Sequence, residues 1–307
     1  QYVHPSQPEP GHIVCLGWDS SVYKFGVDRG GGVRNDLGSP DRFRCWFDFG
    51  ALDKELARRW KGQKLDQGLP IITTTIERQG FRYELEQFAY PLHGPPQQRR
   101  GDIPMLLLQK VTVVNLKAER AVAAVTIHHR RQLPAQASLA LAPAADGSGY
   151  VLSETGDGRL LLAVQGHKID VRLQTASDDK TPDKQSMRAG SLSVAMDLPA
   201  GGSETFVVKL ASPPIEPAEA DVLCRLDYAA AREAARRFWL GYLERGAQFQ
   251  VAEEPVNELF RANLWHALRL PRRHGGSGDG LRIDLPYSNF AYGQQGTPWP
   301  INQAVYV

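Results

Sequence analysis

"LPIITTTIERQGFRYELEQFAYPL", residues 69–92, decides the fold class. Its first arm is dominated by Thr and Ile, which suit a pleated strand. In the second arm Phe81, Tyr83 and Leu85 alternate with Arg82, Glu84 and Glu86. That period of two gives one face for a core and one for water. Gln79-Gly80 lies between the arms and suits the positive φ of a tight hairpin.

The pattern extends downstream. "MLLLQKVTVVNLKAERAVAAVTIHHR", from residue 105, has two β-rich arms around a polar connection, Lys117 to Arg120. "YVLSET", "RLLLAVQG", "IDVRLQTA", "SLSVAMDL" and "ETFVVKLA" follow, separated by turn residues. Many short strands at this spacing predict a large antiparallel sandwich. "ASPPIEPAEAD", residues 211–221, reads as a boundary, because its prolines break a strand ladder and suit a semi-rigid linker. Beyond it the period changes. Asp227 is placed to cap a helix whose stripe is Ala231, Ala234, Ala235, Phe238 and Tyr242, with Gly246 as its stop. A second helix starts near Pro255, with Val256, Leu259, Phe260, Leu264, Ala267 and Leu268 as its apolar face. The expected domains are 1–215 (sandwich), 216–247 (linker and its helix) and 248–307 (the start of a helical domain).

Composition narrows the partners. The net charge is +2 over 307 residues, which speaks against a nucleic-acid binder with a concentrated basic face. No window has the ~18 consecutive apolar residues of a membrane span. Cys15, Cys45 and Cys224 lack metal-ligand spacing. They allow one disulfide, with buried free thiols the better fit. His128-His129 would face opposite sides of a strand, which argues against a shared metal. "DRGGGVRND" lacks the strand-to-helix setting of a dinucleotide loop, and no GxxxxGK phosphate loop occurs. No cofactor and no metal are expected. The chain opens at Gln1 with no visible signal peptide; a periplasmic or secreted location is favoured.

The order of elements resembles the six-hairpin glycosidases, in which a galactose-mutarotase-like super-sandwich precedes a linker helix and an (α/α)6 barrel. Residues 67–92 and 106–130 are similar to its strands. "FWLGYLERGAQFQVAEEPVNELFRANLWHAL" is similar to the linker helix and first barrel helix, and "YGQQGTPWPINQAVYV" to the first loop at the barrel mouth. The resemblance implies the N-terminal part of a carbohydrate-active enzyme, a glycoside hydrolase working by carboxylate acid/base chemistry, whose barrel lies mostly beyond Val307. A glycoside phosphorylase is the near variant. A non-catalytic module for glycan binding or assembly is the alternative of another class. The implied partners are a carbohydrate and either a second copy or the remaining barrel.

Candidate sugar-binding residues cluster in the closing loop. Trp299 offers an indole face for the C–H face of a sugar, Asn302 and Gln303 suit hydroxyls, and Tyr292 and Tyr287 flank them. Packing at a rim or a helix cap is the plain alternative for each. Several relatives have an Arg-Asp sugar clamp after the loop Trp; here Pro300, Ile301, Asn302 and Gln303 follow instead. Glycoside cleavage needs two carboxyl groups. Glu253-Glu254 precedes Pro255, where a helix N-terminus favours acidic residues in any case, and Asp284 is a weaker guess. No catalytic residue is assigned. Trp18 and Trp46 sit in loops or strands that could edge a barrel mouth.

Overall fold

The computed structural model describes residues 13–35, 41–49, 59–97, 100–134, 137–166, 170–177, 185–246, 248–269, 272–274 and 282–284. Two antiparallel sheets form a sandwich. The first has seven strands in the order β1 (Val14–Leu16), β2 (Phe25–Val27), β3 (Val33–Asn35), β4 (Phe43–Asp48), β9 (Ala121–Pro134), β14 (Gln185–Leu198) and β13 (Asp170–Ser177). The second has eight: β10 (Leu139–Pro143), β11 (Gly149–Glu154), β12 (Leu160–Gly166), β15 (Ser203–Ile215), β8 (Met105–Asn115), β7 (Phe81–Pro91), β6 (Leu69–Arg78) and β5 (Trp60–Asp66). A short hairpin, β16 (Arg272–His274) with β17 (Arg282–Asp284), follows the helices.

The hairpin that set the fold class forms as its residues require. Gln79 and Gly80 both take positive φ, 51° and 80°, as a two-residue turn matching strand twist demands. Phe81, Tyr83 and Leu85 point into the core and pair with Asn115, Val113 and Val111. The alternation then ends, and Phe88 to Pro91 are buried on both faces. The same happens over Leu69–Ile72 and Met105–Gln109. These strand ends lie under helices, so both sides of the sheet are covered there.

Among the described residues, three α-helices follow the sandwich: α1 (Ala220–Arg225), α2 (Tyr228–Leu243) and α3 (Glu254–Arg269). They pack on the outer face of the second sheet, α1 on β12, α2 on β6 and β7, and α3 on β6. No helix among the described residues is long and apolar enough to cross a membrane.

Within "ASPPIEPAEAD" the first two prolines do not break the ladder. β15 runs through Pro213 and Pro214 to Ile215. Ser212 still pairs with Met105, and Ile215 meets Leu160 across a register shift. A shifted ladder needs no N–H at every position, so it accommodates proline.

One polar bridge crosses the core. Arg131 on β9 donates through Nε and Nη2 to Asp41 at 3.0 and 2.6 Å, and through Nη2 to Ala211 O on β15 at 2.7 Å. Ser212 Oγ donates to the same carboxylate at 2.9 Å. A second tie joins the β2–β3 turn to the opposite sheet, where Gln87 Nε2 donates to Gly31 O at 2.9 Å and to Gln109 Oε1 at 2.8 Å. The glycines of "DRGGGVRND" therefore serve a hairpin. Asp28 accepts the amides of Gly30 and Gly32 at 2.9 and 2.8 Å and closes it.

Candidate functional site

The joint between sandwich and helices gathers most of the unusual side chains. Trp18, ahead of β2, is fully buried there. It stacks on Phe238 of α2 at 4.1 Å and meets Trp239 and Tyr90 edge-on at 5.9 and 5.8 Å. The ring series continues from Trp239 to Trp265 of α3 at 6.4 Å, and Trp265 stacks on His266 at 3.9 Å. Each such pair adds about 0.5–1.5 kcal/mol beyond the area it buries. Trp18 is thus a packing residue of the joint, not a sugar platform. Beside it the buried Asp19 accepts from Tyr242 Oη at 3.2 Å and from Ser20 Oγ at 3.1 Å, with Ser20 at φ 62°.

Asp227 caps α2 as its sequence implies, accepting from Ala230 N at 2.7 Å. One turn on, the helix is clamped to the sheet. Arg232 donates to Glu86 on β7 at 3.0 Å and to Asp66 on β5 at 2.8 Å. Tyr228 Oη donates to Glu86 at 2.8 Å, and Lys110 lies 3.4 Å away. Burial raises the Glu86 pKa, but the Tyr228 hydrogen bond and the two cations outweigh it, so the carboxyl sits below the usual range. Burial, then the Glu86 charge, pushes the Tyr228 phenol far up.

Lys209 is the least expected residue here. It is buried on β15, and its ammonium donates to Leu223 O, Cys224 O and Leu226 O at 2.8, 2.8 and 2.7 Å. A lysine from the sheet thereby satisfies the carbonyls at the end of α1. Burial pulls its pKa down to about 8. It borders a cleft of about 470 Å³ with Ser148, Gln165 and Asp227. A second cleft of about 520 Å³ lies between Tyr90, His93, Asp221 and Arg225.

Each cleft holds a single carboxylate, Asp227 in one and Asp221 in the other. Neither therefore supplies the acid and base pair of a glycosidase. Among the described residues, no three His, Cys, Asp or Glu come together as a metal site. Glu254 opens α3, accepts from Asn257 Nδ2 at 3.1 Å and pairs with Arg261, which makes it a helix-end residue. His128 faces outward on β9 and His129 is buried in the core, so the adjacent pair is split across the sheet. Cys15, Cys45 and Cys224 are buried and form no disulfide among the described residues; burial pushes the Cys45 thiol up to about 12.

Tyr287, Tyr292, Trp299, Asn302 and Gln303 lie outside the described residues, and Asp284 is described only as backbone in β17. Trp46 lies on the outer face of the first sheet, stacked on His128 at 4.9 Å. The residues that sequence reasoning missed are Lys209, Arg131, Glu86 and Arg232. Lys209 carried a signal, since it interrupts the run of apolar residues Phe206 to Leu210 at a position where both faces are covered.

The chain matches no protein-family model and no curated protein. Among solved structures, a GH92 family glycosyl hydrolase aligns over 91% of this chain and 43% of its own, at 12% identity and a TM-score of 0.40. A family GH92 alpha-mannosidase from Bacteroides thetaiotaomicron aligns over 92% of this chain and 44% of its own, at 12% identity and a TM-score of 0.42. The chain spans less than half the length of either.

Proposed function

We propose that this chain is the sandwich-bearing part of a carbohydrate-active enzyme, a glycoside hydrolase. In this reading 1–215 is the sandwich, 216–247 the linker with its helix, and 248–307 the first portion of an (α/α)6 barrel. Trp299, Asn302, Gln303 and Tyr292 contact the sugar, and the acid and base carboxylates come from barrel helices outside these residues. The sandwich buttresses the barrel through the Trp18–Phe238–Trp239–Trp265 series.

The observation that carries the reading is the way α3 is docked. It seats Trp265 on the sandwich, and Ala262, Leu264 and Leu268 pack partly against the same core. The N-terminal end of its apolar stripe stays open, with Val256 43% and Leu259 61% exposed and Phe249, itself 46% exposed, set against the Phe260 ring. A helix with a stripe of this breadth normally buries it against neighbours, and a ring of helices supplies such neighbours on that side.

A phosphorylase is the variant in which phosphate replaces water. The second reading, a non-catalytic glycan-binding module, is favoured by the sandwich itself, whose two sheets close one continuous core. The test is turnover of a panel of aryl glycosides and oligosaccharides, with and without phosphate. It is run on the 307-residue chain and on the protein carrying whatever its gene encodes past Val307. Turnover confined to the longer protein is expected. Glycan binding without turnover in both would replace the enzyme by the module, and neither binding nor turnover would end both readings.

A further inference from the structure

Helix α3 ends on a buried cation that finds no anion in the fold. Arg269, its last residue, is 4% exposed. Its guanidinium only donates hydrogen bonds. Nη2 donates to Nδ1 of His266, one turn back, at 2.6 Å. Nε and Nη1 are buried and meet no acceptor among the described residues. The guanidinium carbon lies 5.8 Å from the centre of the Trp265 ring, and His266 stacks on the same ring at 3.9 Å. Trp265 is held in turn by Trp239 at 6.4 Å and by Gly68 O, to which its Nε1 donates at 2.7 Å. Indole, imidazole and guanidinium therefore form one cluster on a fixed base.

The cluster offers donors and no acceptor. Nδ1 of His266 accepts from Arg269, so the neutral ring carries its proton on Nε2. Burial, then the Arg269 charge, pulls the ring down to about 3, and no carboxylate enters that balance. The acidic residues of the elements packed on α3 are engaged elsewhere. Glu254 pairs with Arg261, Glu233 with Arg237, Glu86 with Arg232 and Glu77 with Arg82. Glu244 is exposed at the end of α2, and Glu258 stands three turns back along α3, about 16 Å at the helical rise.

A basic residue in the last turn of a helix ordinarily gives its N–H groups to the final carbonyls or to water. Arg269 does neither at Nε and Nη1. Buried donors left unpaired oppose the seating of the helix end, and an apolar side chain would fill the place without that cost.

We propose that the end of α3 is an oxyanion site, in which Arg269 and the Nε2–H of His266 take the phosphate or carboxylate group of a small ligand. Guanidinium N–H groups suit both anions. The proposal stands apart from the glycosidase reading. Nε and Nη1 are closed to water when the helix end is seated, so the ligand enters as that end opens, and helix ends open most readily. A bound oxyanion then satisfies the donors and holds residues 262–269 on the sandwich, so binding and seating are coupled.

Thermal unfolding of the 307-residue chain at pH 7 tests the proposal, with sodium phosphate, sodium acetate and sodium chloride as probes at one ionic strength. At least one of the two oxyanions raises the melting temperature above that in chloride, saturably, and slows hydrogen exchange over residues 262–269. The two arms tell phosphate from carboxylate. Arg269→Met abolishes both effects and in chloride melts no lower than the parent, because an unpaired buried charge is gone. Arg269→Lys keeps the charge but loses the planar fork, and the apparent affinity falls about tenfold, the scale of one charge-assisted hydrogen bond. Equal effects of the three salts, no effect of either oxyanion, or an effect that survives in Arg269→Met would overturn the proposal. So would an Arg269→Met chain that melts well below the parent in chloride, since the guanidinium would then be satisfied already within the chain. Turnover of glycosides bears on none of these readouts.

Discussion

Helices α2 and α3 have equal length and lie on the same sheet, yet they are held in opposite ways. α2 turns Ala231, Ala235, Trp239 and Leu243 inward and adds a clamp of Arg232 on Glu86 and Asp66. Its apolar side and its docked side coincide. α3 turns Asn257, Trp265 and Arg269 inward instead. Trp265 Nε1 donates to Gly68 O at 2.7 Å and Arg261 Nε to Gln67 O at 2.8 Å, so a β-turn receives the helix through hydrogen bonds. The stripe of Val256 and Leu259 is left outside. An apolar stripe therefore says that a helix needs a partner, but not that the nearest sheet is the partner.

The difference can be broken by substitution. Trp239→Ala should cost the most, about 3–5 kcal/mol as for other large buried aromatics. It should lower the unfolding midpoint of the sandwich with the helices, because Trp239 touches both Trp18 and Trp265. Chemical denaturation read by far-UV and near-UV circular dichroism together checks this, and a shift confined to one signal would contradict it.

Gly68→Ala should come next and act on α3 alone. Gly68 has φ +77°, and an added Cβ would stand 2.7 Å from Glu258 O, a backbone atom that cannot step aside. Hydrogen exchange over residues 254–269 should rise while β7 and β8 stay protected. Gly80→Ala is the control, since its Cβ meets only the flexible Lys117 side chain. That leaves mainly the cost of positive φ, about 1–2 kcal/mol, with α3 undisturbed.

A pH titration sharpens the comparison further. His266 on α3 is held down to about 3, by burial and then by Arg269, whose Nη2 donates to its Nδ1 at 2.6 Å. Burial also pulls core His129 well below its ordinary value, and the Arg131 charge adds to this. Both stay neutral in the fold, while an unfolded histidine takes a proton near 6.5. Stability is therefore full above about pH 6.5 and is lost as pH falls from there toward the folded values, by about 1.4 kcal/mol per pH unit for each histidine. Denaturation midpoints at pH 7 and pH 5 measure it. His266→Phe should remove the part of the slope that belongs to α3.

Leu259→Lys should do least. A side chain 61% exposed can be replaced within about 0.5 kcal/mol. A larger loss of stability would mean that the stripe is packed in the isolated chain rather than left open to solvent.

Much of the sandwich was legible in residues 69–92, where period-two alternation and Gln79-Gly80 specify a hairpin by local chemistry. Asp227 as a cap and the helical stretches were legible for the same reason. The site was less so. Trp18 carries no mark that separates a packing indole from a sugar platform, and only its stack on Phe238, more than 200 residues away, decides it. The prolines at 213–214 read as ladder breakers, yet both lie inside β15, because local rules cannot see a partner strand that shifts register.

The sequence alone determined the period of each segment, the turns between segments and the near-neutral balance of charge, since all three depend on neighbours a few residues apart. Tertiary structure decided which face each helix turns to the sheet, that Lys209 ends α1, and that Arg131 binds Asp41 across the core. Those outcomes depend on register and on contacts between residues up to 90 or more positions apart. A one-residue slip in any of those strands would have sent the same side chains to the opposite face.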